Sequence, residues 1–88
     1  MAKLKVFGGL VMMPQRGQLR TIVATTSRAK AVAALAKVGI HTNVGTIAAY
    51  WSETGNAHEL NIALPHPGAV FQARNRQERD YVELQELL

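Results

Sequence analysis

The 88 residues contain no cysteine. Disulfides, thiolate metal sites and a cysteine nucleophile are thereby excluded, and the composition fits a cytoplasmic chain. Long apolar runs are missing too: nowhere do about eighteen apolar residues follow one another, so no membrane-spanning helix is expected. The stretch from Met1 to Val11 holds two lysines and a short apolar run, but Gly8 and Gly9 interrupt it and no small-residue cleavage site follows. It reads as a strand, not as a secretion signal. Aromatic residues are scarce, at 6 % against 48 % for all hydrophobic residues, and much of the apolar content is alanine. A thin, closely packed core is expected, with Phe7, Tyr50, Trp51, Phe71 and Tyr81 as its bulkiest candidates. A chain of this length has room for one core, so residues 1–88 form a single domain.

Acidic residues are absent from the first 52 positions, which carry Lys3, Lys5, Arg16, Arg20, Arg28, Lys30 and Lys37. Residues 53–88 hold three basic residues (Arg74, Arg76, Arg79) against six acidic ones (Glu53, Glu59, Glu78, Asp80, Glu83, Glu86), so the net charge of +4 hides a front of +7 and a rear of −3. A front with no internal neutralisation favours a polyanion or an acidic protein surface as partner.

Catalytic and metal-binding patterns are likewise missing. His41, His58 and His66 include no pair at i, i+4 spacing, and His66 stands between two prolines, so they read as solvent-facing or capping residues. Thr25, Thr26 and Ser27 have no base held by a third group and are better placed to cap a helix. No paired carboxylates and no glycine-rich phosphate loop occur, so neither an enzyme nor a bound cofactor or metal is expected.

The residues present outline a small α+β domain. In KLKVFGGLVM, Leu4, Val6, Leu10 and Met12 alternate with Lys3, Lys5, Phe7 and Val11, the period of a strand, and Gly8-Gly9 suggests a bulge or the close approach of another backbone. Pro14 and Gly17 bound a turn with Arg16 at its tip, and QLRTIVAT returns as a second strand carrying Arg20, giving a hairpin over residues 1–25. A helix is predicted from Arg28 to Val38, with Ala31, Val32, Leu35 and Val38 inward, Lys30 and Lys37 outward, and Gly39 at its stop.

A second helix begins at Thr42 or Asn43, with Val44, Ile47, Ala48 and Trp51 inward and Asn43, Gly45, Thr46, Ala49 and Tyr50 outward, ending by Gly55. Asn56-Ala57-His58-Glu59 has capping-box spacing and opens a third helix, stopped at Pro65, so helices occupy 28–64. Residues 69–73 form a third strand, and the same capping spacing at Asn75–Glu78 predicts an acidic C-terminal helix over 75–88 with Tyr81, Leu84 and Leu88 on one face. The expected architecture is β-β-α-α-α-β-α, with short helices on one face of a three-stranded antiparallel sheet.

Residues 28–51 then carry the functional expectation. Ala33, Ala34 and Ala36 are small where two helices would cross, Gly39 lies between them, and Ile47 and Trp51 anchor the second helix beneath Asn43, Thr46 and Tyr50. This stretch resembles helix-turn-helix DNA-binding domains, a resemblance that implies duplex DNA as partner. The predicted contacts are Lys3, Lys5, Arg16, Arg20, Arg28, Lys30 and Lys37 to phosphates, and Asn43, Thr46 and Tyr50 towards the groove, with the basic hairpin as a wing. The second helix has no arginine, lysine or glutamine for base edges, so sequence preference is expected to be weak.

Size alone suggests a phage- or plasmid-borne regulator or accessory factor. Stacking of single-stranded bases on Phe7 and Phe71 is a weaker reading, since both rings are more useful inside. The rival from another class is a non-catalytic inhibitor or adaptor that docks its basic face on an acidic partner protein, with Tyr50, Tyr81, Arg74 and Arg76 at the contact. Self-association as a homodimer through Leu84, Leu87 and Leu88 would accompany either.

Overall fold

The alternation in the first 25 residues becomes two long strands, β1 (Lys5–Met13) and β2 (Gly17–Thr25), in a computed structural model that describes residues 3–14, 17–74 and 80–85. They pair antiparallel in one unbroken register from Lys5 opposite Thr25 to Met13 opposite Gly17. Gly17 takes a φ of 81°, the left-handed conformation the turn requires. The expected Arg16 tip lies outside the described residues.

Helix α1 (Arg28–Lys37) starts where the hydroxyls predicted it, with Ser27 accepting from the Lys30 amide, and stops at Gly39, whose φ is 87°. Helix α2 (Val44–Tyr50) is capped by Asn43, whose side chain accepts from the Thr46 amide at 2.8 Å. Helix α3 (Ala57–Ala63) is capped by Asn56 in the same way.

Between α2 and α3 the sequence expectation fails. The second helix ends at Tyr50, and Ser52–Glu53 forms a two-residue strand, β3, against Phe7 and Gly8. Val44 and Ala48, expected inside, are exposed, whereas Thr46 is half-buried, so Ile47 is the fully buried residue of α2. The helix is too short to bury a broad stripe, and Trp51 takes the place of a second apolar turn from a position just beyond it.

Strand β4 (Val70–Ala73) is the expected third strand, but the predicted C-terminal helix is corrected by β5 (Tyr81–Glu83), which pairs antiparallel with β4. Positions 75–79 and 86–88 of that expected helix lie outside the described residues. Tyr81 and Val82 suit a strand, and the open edge of β4 supplies partners that a local helical reading does not consider. The sheet therefore has five strands in the order β3-β1-β2-β4-β5, replacing the three-stranded sheet expected, while the α+β class holds.

Helices on a single face are corrected as well. Phe7, Val23 and Val70 point to one side, where Ala31, Ala34 and Leu35 of α1 and Ile47 and Trp51 cover them. Val6, Ile22, Ala24 and Phe71 point to the other, where Leu60, Ile62 and Ala63 of α3 cover them. Adjacent residues of one strand can be buried together because both sides of the sheet are roofed. Phe7 and Phe71 lie in these two cores and present no ring for base stacking. Among the described residues, no helix is long and apolar enough to cross a membrane.

Candidate nucleic-acid interface

Helices α1 and α2 pack as one unit on the β1–β2 hairpin, joined through Leu35 and Ile47 in the same apolar cluster. Exposed on them are Arg28, Lys30 and Lys37 of α1 and Tyr50 of α2, the tyrosine being 81 % exposed. The Arg28 guanidinium carbon stands 5.8 Å from the centroid of the Phe7 ring, a cation–π contact that holds its charged head beside the sheet. Lys30 and Lys37, two turns apart on the same side of α1, border a shallow cleft of about 380 Å³ with Leu4, Ala33, Ala34 and Gly68 around them. No described carboxylate lies within ion-pair distance of Arg28, Lys30 or Lys37.

The remaining predicted contacts are placed less favourably. Lys3 is exposed just before β1, and Lys5 is exposed with its ammonium 3.9 Å from Glu53. Asn43 is exposed, but its side-chain oxygen is occupied by the Thr46 amide, and Thr46 is itself half-buried. Tyr50, expected both among the core aromatics and on the outward side of the second helix, is the exposed member of the pair, while its neighbour Trp51 is buried.

Arg20 departs furthest from expectation. Its Nε donates to Glu59 Oε2 at 2.8 Å and its Nη2 to Glu59 Oε1 at 3.0 Å, a forked pair on the α3 side of the sheet. Thr54 Oγ1 donates to Glu59 Oε1 at 2.7 Å, and the Tyr81 hydroxyl donates to Oε2. Burial by itself would raise the Glu59 pKa, but the donors from Arg20, Tyr81 and Thr54 outweigh it and hold the carboxyl down to about 2. Tyr81 is pushed up to about 12 by burial and by the carboxylate it faces. Glu59 is thus a clamp that is ionised at neutral pH, the opposite of a general acid, whose pKa must lie near the working pH. Capping-box spacing predicts that Glu59 reaches back to the Asn56 amide, yet that amide donates to Thr54 Oγ1 instead.

Sequence reasoning misses this cluster because it assigns Arg20 to phosphate contact and Glu59 to a capping box. A signal exists: Glu59 stands one turn before the buried Ala63, hence on the inward side of α3, and Arg20 alternates with Ile22 and Ala24 on one side of β2. The glycine pair is explained by the same arrangement. A Cβ on Gly8 would lie 2.5 Å from Arg20 Nη2, and one on Gly9 would lie 2.5 Å from the Trp51 ring. Side chains on opposite faces therefore press on the two glycines, and the unbroken register excludes the expected bulge.

Of the histidines, His58 stands beside the Tyr81 ring and His66 beside Phe71, each with centroids 6.0 Å apart. Among the described residues, no group of three or more potential ligands could hold a metal ion. No protein-family model matches the chain, and neither does a curated protein or a solved structure.

Proposed function

We propose that the chain is a small DNA-binding protein whose α1–α2 unit rests on the phosphate backbone of a duplex. The observation that carries this reading is the exposed trio Arg28, Lys30 and Lys37 on a helix pair that contains no acidic residue, while Glu53 and Glu59 are engaged by Lys5 and Arg20. Uncompensated cations on one element supply the sequence-independent part of DNA affinity through release of condensed counterions. Tyr50 at the end of α2 adds an exposed ring with a hydroxyl, suited to backbone or groove contact. Recognition of particular bases is weak in this arrangement, because α2 offers no bidentate donor. Arg20 drops out of the contact set, its guanidinium being held by Glu59.

The test is a salt titration of binding to a labelled duplex. Log affinity falls linearly with log salt, and replacing Arg28, Lys30 and Lys37 together by alanine makes the slope shallower by about 0.9 for each phosphate no longer neutralised. Equal weakening on unrelated sequences is expected. A protein that fails to bind duplex at low salt, or a triple variant with unchanged slope, overturns the reading and leaves docking on an acidic protein surface as the use of these cations.

A further inference from the structure

The outer edge of β1 is covered over part of its length. Strand β3 pairs with Phe7 and Gly8, and the Thr54 amide donates to the Val6 carbonyl. Since the Val6 carbonyl points to this outer side, strand alternation sends the backbone groups of Gly8, Leu10 and Met12 the same way. Past Gly8, no described strand pairs with β1 on that side. The side chains there are bare as well: Leu10 is 59 % and Met12 67 % exposed, both on the face of Val6 and beyond the reach of α3.

Natural sheets blunt such edges with lysine, proline, a bulge or a covering loop. From Val6 to Met13 this strand has no charged residue and no proline, and its register shows no bulge. Donors and acceptors that no described strand engages, flanked by exposed apolar side chains, form a template for a further strand.

We propose that the further strand is the same segment of a second copy, paired antiparallel about Val11 so that two sheets join into one. Charge argues for this occupant. A chain of net +4 repels its own copies except across an uncharged surface, and residues 6–14 are uncharged. Register argues for it too, because the open window runs from Gly9, just past the last β3 partner, to Met13, just before Pro14, and Val11 is its midpoint.

About that midpoint, Gly9 faces the second copy's Met13 and Leu10 faces its Met12. The outward N–H and C=O groups of Leu10 and Met12 then meet those of their counterparts. A shift by two residues in one sense would run both copies into β3 at Gly8, and in the other sense would set both onto Pro14, which has no N–H to give. The two Leu10 and two Met12 side chains gather on one face, the same patch used twice, as a two-fold interface requires. Five paired residues bury less than the roughly 1,200–2,000 Å² of a stable complex, so the dimer is reversible and concentration-dependent. The surface differs from the C-terminal leucines expected to self-associate: Leu84 packs against the α1–α2 core and is not free for a partner.

Sedimentation without nucleic acid, from micromolar to millimolar protein, tests the proposal, and its outcome is independent of the DNA reading. The wild-type chain shifts from monomer to dimer, and amide exchange at Leu10 and Met12 slows as the concentration rises. Met12→Lys and Leu10→Glu, each checked by its melting curve for retained folding, both weaken the dimer at least tenfold. An equimolar mixture of the two variants recovers it, since the ammonium introduced into one chain then faces the carboxylate introduced into the other. A chain that stays monomeric throughout, a dimer whose Leu10 and Met12 amides exchange unchanged, or a mixture no tighter than its components would overturn the proposal.

Discussion

Arg20 and Glu59 meet 39 positions apart in sequence, each guanidinium nitrogen of the fork on its own carboxylate oxygen. The contact ties the centre of the sheet to α3, and Tyr81 of the edge strand closes on the same carboxylate. One side chain thereby links three elements that share no local sequence.

Replacing Glu59 by Gln keeps the shape but turns an amide N–H₂ towards donors. The destabilisation is about 3 kcal/mol, the low end for a broken buried pair because the Arg20 side chain keeps 36 % exposure to water. Urea denaturation of E59Q against wild type measures it.

Stability also follows pH through this cluster. The Glu59 pKa is lowered on folding, so its contribution is complete above the ordinary value of 4.5 and fades as the pH falls towards about 2. The Tyr81 pKa is raised, so its contribution is complete below 10 and fades as the pH climbs towards about 12. Denaturation midpoints across both ranges should fall at each end, with E59Q flattening the acid limb and Y81F the alkaline one.

The glycine pair predicts an order of damage. Gly9→Ala drives a methyl group into the buried Trp51 ring and costs about 1–3 kcal/mol, the usual penalty of overpacking. Gly8→Ala meets the far end of Arg20, which can shift but only by loosening its fork on Glu59, so its urea midpoint should fall, though less than that of Gly9→Ala.

A different outcome is expected at Gln72. Its amide nitrogen donates to Thr21 Oγ1 at 3.0 Å, but its buried Oε1 accepts from no described residue. Gln72→Met removes that unsatisfied oxygen at similar volume, and Thr21 still donates to the Leu19 carbonyl. The variant should match or exceed wild-type stability within about 1 kcal/mol in the same urea assay.

How far the chain could be read from its residues depends on how local each determinant is. Ser27, Asn43 and Asn56 cap helices where their hydroxyl and amide groups stand, and Gly39 stops α1, because these interactions span three or four residues. The two-faced burial had a trace in the run Ile22-Val23-Ala24, three consecutive apolar residues where a half-exposed strand would alternate.

Strand β5 had almost none. Acidic residues at capping-box spacing pointed to a helix, and only the edge of β4, brought near by the rest of the fold, gives Tyr81–Glu83 a ladder to join. The candidate interface was legible as charge, in Lys30 and Lys37, but not as geometry. Which cations stay free is decided by a carboxylate placed on another element, as Arg20 demonstrates.

The lone indole follows the exposed tyrosine directly in the chain, leaves α2 as its cap residue and lies against Gly9. A ligand on Tyr50 that tilts α2 about that contact would alter the surroundings of the ring. The chain thus carries its own optical reporter: emission from Trp51, read without any label, would register a ligand settling on α2 through a single neighbouring residue.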